Sequence, residues 1–436
     1  MAREMKDSGY YWIGKIPINW QIRKVKDLYQ IQTGFTPDTK REEYYADEIE
    51  GYDWLTIGDL DGKMYIPHTT KNHISKLYVQ KFSPSIIPKG SLLYSFKLSV
   101  GQVSITNRDI YSNEAIASFM PHSGVCLEFL YYSSSMIVEN ANENIYGAKI
   151  LNQELIRNAR VVCPPIEEQK KIALFLNKKC LELDNVLEKT RASIEEYKKL
   201  KQAVITQAVT KGLHGDREMK DSENKWAREI PSDIKISRVG LHYEIILGKM
   251  LCTNQIDDTY TYEPYFCAAD IHFEGIAENE RKKMWFSPLE KQQYLVRKDD
   301  LLVVEGGAGA GGCTVAPIQE VSTYIQNSIM IVRPGKSADV RYLKYWIECL
   351  VKQGYIDVVC NKATIPHFTK DKLANVPFLV FSLQEQEEIA NYLDQKCSAI
   401  DELIAKKEQY LSEIENYKKT LIYEYVTGKK EVPQNC

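Results

Sequence analysis

Ten cysteines are spread over 436 residues without a Cys-x-x-Cys pair, and the seven histidines form no His-x-His or His-x-x-x-His cluster. Both absences argue against a zinc site and a disulfide framework, and they fit a reducing compartment. Cys180 and Cys397 instead recur at apolar positions, as small hydrophobes do. The first residues, Met1 to Trp12, are charged and lack an apolar run, so no signal peptide is expected, and no stretch approaches a membrane span. There is no Gly-x-Ser-x-Gly elbow, and no pair of carboxylates stands out from solvated surface. An excess of one charge is missing too. With a net charge of −3, any nucleic-acid surface has to be a local patch rather than the bulk field. The expectation is a cytoplasmic protein with no membrane partner and no visible catalytic machinery.

What the chain does have is repetition. Setting Glu168 on Glu385 gives a shift of 385 − 168 = 217, which also pairs Gln169 with Gln386, Ile172 with Ile389, Cys180 with Cys397, Asp184 with Asp401 and Thr210 with Thr427. Arg3–Ser8 returns letter for letter as Arg217–Ser222, a shift of 217 − 3 = 214, followed by Trp12 on Trp226 and Ile16-Pro17 on Ile230-Pro231. A repeat of this length describes architecture. The chain is two half-proteins in tandem, each with a leading segment, a globular domain and a long helix.

The helical copies carry a heptad. Leu176, Cys180, Leu183, Leu187, Thr190, Ile194, Tyr197, Lys201, Val204 and Ala208 alternate spacings of four and three. The second copy answers with Leu393, Cys397, Ile400, Ile404, Lys407, Leu411, Ile414, Lys418, Leu421 and Tyr425. Such a seam needs a partner helix along its length, and the economical partner for each copy is the other. A helix from Ile166 to Val209 would be roughly 65 Å long, a rod suited to setting a distance. The domains are expected at 1–163, 164–212, 213–380 and 381–431.

Between the helices, short apolar runs cut by turn residues predict strands at Trp54–Ile57, Ser91–Phe96 and Gly101–Ile105, with helices at Leu127–Glu139 and Gln153–Asn158. The class is α+β, strands dominant. The second domain repeats the order with different loops: Asp59-Leu60 is echoed by Asp270-Ile271, and a helix is expected over Tyr342–Val351. Gly307, Gly309 and Gly312 spell a formal Gly-x-Gly-x-x-Gly, but Cys313–Pro317 is extended and stopped by proline where a dinucleotide fold needs a helix. A tightly packed loop, or one that meets a ligand through its backbone, is expected there.

Loops mixing basic, hydroxyl and amide residues are the remaining sites. Lysine and arginine can neutralise phosphates, while threonine, asparagine and histidine can read base edges. The candidates are Thr36, Lys40, Arg41, Lys71, Lys97, Tyr146 and Lys149 in the first half, and Lys249, Lys282, Lys283, Lys362, Thr364 and His367 in the second.

The combination resembles the specificity subunits of type I restriction–modification systems. The residues that carry the resemblance are Lys6-Asp-Ser-Gly with Trp12-Ile-Gly, Ile16-Pro17 and Trp20, then Gly34-Phe-Thr-Pro37, Trp54-Leu-Thr-Ile-Gly-Asp59-Leu60, Pro164-Pro-Ile-Glu-Glu-Gln169 opening the first long helix, and Val-Thr-Lys-Gly212 closing it. The second copy departs, with Phe381-Ser-Leu-Gln384 in place of Pro-Pro-Ile-Glu. The resemblance implies that each globular part is a target recognition domain reading one half of a bipartite, asymmetric site on double-stranded DNA. It implies that the helices pair antiparallel as a coiled-coil spacer and dock two methylation subunits, joined in full systems by two restriction subunits. It also implies a non-catalytic chain that binds no cofactor, with S-adenosylmethionine and ATP with magnesium on the partners. Two other readings fit the residues alone: a fused restriction–methylation enzyme with unrecognised motifs, and a coiled-coil scaffold for proteins.

Overall fold

The structure is a computed structural model that describes residues 3–97, 99–143, 149–360 and 366–433. Contacts divide the chain into two compact units, one made of Met1–Thr190 with Tyr410–Cys436 and the other of Arg191–Gln409. The two long helices, Ile166–Lys211 and Leu383–Val426, each contribute to both units.

In the first unit a hairpin leads, Met5–Asp7 against Lys15–Pro17. One four-stranded sheet follows in the order Ile31–Thr33, Ile116–Phe119, Leu92–Ser95, Val103–Ile105, all antiparallel. A second sheet sets Tyr52–Leu55 parallel to Tyr111–Ser112 and antiparallel to His73–Ile74. The central strand Leu92–Ser95 is buried throughout, because alternate side chains enter different cores. Leu92 and Tyr94 join the cluster that contains the long-helix residues Ile172, Leu176 and Cys180, while Leu93 joins Leu55, Ile66 and Ile116 on the other face.

The second unit repeats this plan. Its leading hairpin pairs Met219 with Pro231, as Met5 pairs with Pro17. Its main sheet runs Tyr243–Leu247, Ile329–Pro334, Leu301–Val304, Cys313–Val315, and its smaller sheet again has one parallel pair, Tyr265 on Tyr324. Leu301 and Val303 face the cluster containing Ile389 and Leu393, whereas Leu302 and Val304 face Phe266 and Ile325. Different side chains thus build the same layers.

The heptad residues form the predicted seam. Leu176, Cys180, Leu187, Ile194, Leu393, Cys397, Ile400, Ile414, Leu421 and Tyr425 are buried, with Leu183, Val204, Ile404 and Leu411 half-buried. The helix segments run antiparallel within each unit. In the first, Phe175 packs against Tyr425 with the rings tilted and Asp184 meets Lys418; in the second, Tyr197 lies against Lys407 and Lys201 meets Asp401. Burying each leucine of the seam contributes about 1.5–3 kcal/mol. The Val-Thr close also has a reason: Gly212 (φ +73°) and Gly428 (φ +70°) take the left-handed conformation that ends a helix, where a side chain would be strained.

Two local expectations are corrected. The strand at Trp54 stops at Leu55, because the Asp59 carboxylate accepts from Thr56 N and Oγ1 and winds Ile57–Asp59 into a tight turn. Cys267 and Asp270 make the same turn in the second unit. The helix expected over Leu127–Glu139 is broken into Leu127–Ser133 and Ser135–Val138. Ser134 Oγ donates to Tyr131 O at 2.8 Å, the competition by which serine interrupts a helix.

Candidate nucleic-acid interface

The first-unit loop after strand Ile31–Thr33 is placed by a close approach. A Cβ on Gly34 would lie 1.9 Å from the Ser112 carbonyl oxygen, so only glycine lets the two backbones meet. Gly248 plays this part in the second unit, 2.4 Å from the Gln326 carbonyl oxygen. Phe35 then stacks on Tyr78 with ring centroids 5.3 Å apart, and Thr36 beside it is exposed. Thr36 donates to Glu114, and Lys97 Nζ lies 3.6 Å from the same carboxylate, so two candidates distant in sequence are brought together. Lys40 is exposed; its backbone amide donates to Asp38 at 3.0 Å, and its ammonium is in no ion pair among the described residues. Arg41 lies over the Tyr44 ring, 5.7 Å from its centroid, and 3.5 Å from Glu43. Lys71 Nζ donates to Gly58 O at 3.2 Å, and its backbone amide to Asp59 at 3.0 Å. Lys149 stands apart, paired with Glu139 at 3.0 Å.

In the second unit, Lys282 and Lys283 lie on strand Lys282–Phe286, opposite Tyr265 and Pro264, exposed and in no salt bridge among the described residues, although the Lys283 charge helps to lower the Glu263 pKa. Lys249 is directed inward. It is 8% exposed, donates to Glu290, and lies over the Tyr260 and Phe286 rings at 5.0 and 5.5 Å. Burial raises the Glu290 pKa, but the bonds from Lys249 and Ser287 outweigh it and hold the carboxyl below its ordinary value. Lys249 is therefore engaged inside its domain rather than offered to a ligand. His367 is exposed beside Gly306, where Phe368 N donates to Glu305 O and Gly307 N to Pro366 O. Tyr146, Lys362 and Thr364 lie outside the described residues.

The glycine-rich run packs tightly and opens no helix. Strand Cys313–Val315 follows it, and a Cβ on Gly311 would meet Val351 and Ile356 at 2.9 Å. Among the described residues no group of three His, Cys, Asp or Glu side chains could hold a metal, and no helix is long and apolar enough to cross a membrane. Each candidate face is thus a set of exposed loops on a packed core.

Sequence reasoning missed the side chains that organise these faces. Glu114 is separated from Thr36 by 78 positions, so no local signal marks it. Asp53, which accepts from Arg108 Nε at 2.5 Å and lies 3.2 Å from His73 Nε2, is equally silent. For the residues at the start of each long helix the duplication itself was the signal, because Arg3 pairs with Glu168 as Arg217 pairs with Glu385.

A family model for the type I restriction modification DNA specificity domain matches residues 17–196 and again 231–416. The MjaIX specificity subunit of Methanocaldococcus jannaschii is 31% identical over 170 residues, a match spanning 38% of this chain and 39% of that relative. The MjaX specificity subunit of the same organism, described as putative, is 25% identical over 96% of each chain. Among solved structures, a chain from a study of complex assembly and conformational transition in the type I R-M system superposes with TM-score 0.71, at 17% identity over 95% of this chain and 99% of that one. The HsdS subunit of Thermoanaerobacter tengcongensis superposes with TM-score 0.53, at 18% identity over 97% and 100%. Both matches of the family model fall on the two repeats, and the chain belongs to the type I restriction–modification specificity family, whose members are non-catalytic DNA-recognition subunits.

Proposed function

We propose that each globular domain reads one half of a bipartite, asymmetric site on double-stranded DNA, and that the paired helices set the gap between the halves. The observation that carries this reading is a duplicated frame with unlike loops: the same hairpin registers and sheet orders recur, while Thr36, Glu114 and Lys97 in one unit give way to Lys282, Lys283 and His367 in the other. Equal frames suit two partner copies and two half-sites, and unequal loops suit two different sequences. The division at 1–163, 164–212, 213–380 and 381–431 separates reading from spacing. The exposed candidates Thr36, Lys40, Arg41, Lys71, Lys97, Lys282, Lys283 and His367 are the proposed DNA contacts.

The outer faces of the helices would dock two methylation subunits carrying S-adenosylmethionine, which supply the chemistry and flip the target adenine. Restriction subunits using ATP and magnesium would join the assembly in a complete system. Single-molecule methylome sequencing of cells expressing the chain with its methylation subunit tests the proposal. A new bipartite adenine-methylated motif that depends on this chain supports it. Methylation by the chain alone would make it an enzyme, and sequence-independent association with its partners would make it a scaffold.

A further inference from the structure

At the start of each long helix one buried glutamine side chain both donates and accepts. Gln169, 4% exposed, donates from Nε2 to Pro164 O at 2.8 Å and accepts at Oε1 from Cys126 N at 3.2 Å. Gln386, 0% exposed, donates to Phe381 O at 2.8 Å and to Ser337 O at 3.3 Å, and accepts from Asp339 N at 3.0 Å. Cys126 and Asp339 are the residues that precede helices Leu127–Ser133 and Val340–Lys352 of the two globular domains. Of the two similar side chains, only the amide donates and accepts at once; a carboxylate could make just the accepting bond.

A second contact follows two turns later. Tyr132 Oη donates to Asn177 at 2.8 Å, and Tyr345 Oη to Asp394 at 2.7 Å. Both acceptors lie eight residues past their glutamine, since 177 − 169 = 8 and 394 − 386 = 8, which is about 12 Å along a helix. Apolar packing already holds each domain to its helix, and two directional contacts this far apart add a constraint on its angle that one would not. The neighbouring Glu168 and Glu385 tie in the leading hairpins through Arg3 and Arg217.

We infer that Gln169 and Gln386 are positioning residues that lock each recognition domain to its long helix and thereby hold the gap at which two half-sites are accepted. The inference rests on the helices being the spacer. One base pair of gap displaces a half-site by roughly 3.4 Å and turns it by roughly 34° around the duplex. A spacer rejects a gap that is one base pair wrong only when each domain is held more tightly than that. The same bonds, built from different neighbours in the two units, are what such a requirement demands.

The test is Gln386→Met in the full chain, expressed with its methylation subunit and read by methylome sequencing. Methionine fills a similar volume and makes none of these bonds. The half-site sequences should persist, while sites with a gap one base pair longer or shorter become methylated, discrimination against them falling about tenfold. Tyr345→Phe should relax the gap in the same direction and by less. Reduced methylation confined to the original gap, in proportion to loss of folded protein, would mean a merely structural role and overturn the inference. Should Gln386→Met fail to fold, Tyr345→Phe decides by the same two outcomes. A fixed gap kept by both variants overturns this inference alone, whereas a wild-type chain with no fixed-gap motif removes the spacer reading and the inference with it.

Discussion

Lys201 Nζ donates to both carboxylate oxygens of Asp401, at 2.9 and 2.7 Å, in the second unit. Lys418 Nζ donates to Asp184 at 2.5 Å in the first, and the positions correspond, because 184 + 217 = 401 and 201 + 217 = 418. Each helix therefore gives the other one lysine and one aspartate. A heptad position held by lysine, which the apolar pattern alone would count as a defect, becomes a check on direction and register. Burial lowers the Lys201 pKa, but the Asp401 bond and charge outweigh it and raise it above the ordinary lysine value. The resulting stability is present below the unfolded-state value near 10.5 and is lost as pH rises through the higher folded-state value. Lys201→Met should cost about 0.5 kcal/mol at neutral pH, because the pair is partly exposed. Denaturant unfolding of mutant and wild type should converge in strong alkali, and the double reversal Lys201→Asp with Asp401→Lys should recover part of the loss.

Seam and outer face should respond differently to truncation. Leu393 is 0% exposed within the core cluster of the second unit, whereas Leu403, ten positions on, is 42% exposed. Leu393→Ala should cost about 2–5 kcal/mol, while Leu403→Ala should stay within about 0.5 kcal/mol. Urea titrations followed by circular dichroism check both, and equal effects would place the seam on another face.

Glu348 is a buried carboxylic acid on helix Val340–Lys352. Burial raises its pKa above the ordinary value, Lys344, Lys201 and Lys352 oppose the rise, and Glu274 adds to it. The folded state thus favours the protonated form, so the contribution of this group to stability is fullest below about pH 4.5 and falls as pH rises through the raised folded-state value. Glu348→Gln should therefore raise the melting temperature at pH 7 by a few degrees, roughly what 1 kcal/mol does in a domain of this size. The gain should vanish near pH 4. Thermal melts across that range decide it, and a destabilised mutant at pH 7 would show that the carboxylate is needed as such.

Two lysines of the second domain should part company in DNA binding. Lys283→Ala removes an exposed charge and should weaken binding of the assembled complex to all sequences, reducing the salt slope by about 1. Lys249→Ala leaves Glu290 partly buried without its cation, so it should destabilise the domain by about 1–3 kcal/mol before any contact with DNA is tested. Salt-dependent fluorescence anisotropy, with thermal melts of the same proteins, separates the two effects.

The expected fold class came from a code that sequence carries openly. A heptad of ten positions, repeated at a fixed shift, names its own buried face, since the period of an α-helix is known and apolar side chains leave water. The strand at Leu92 and the helix at Gln153 were legible for the same reason, while the helix at Leu127 was misjudged because the hydroxyl of Ser134 competes for a backbone carbonyl, which periodicity does not register.

The sequence by itself determined the duplication, the seam and the places where loops could differ, all of which are local or periodic. Only the tertiary structure decided that Glu114 gathers Thr36 and Lys97, that Lys249 turns inward to Glu290, and that Gln169 and Gln386 bolt domain to helix. These are pairings between residues 17 to 78 positions apart. Charge and hydrogen-bonding partners at such separations are chosen by chain packing, and residue type states only what a side chain can bond, never which neighbour the fold will bring to it.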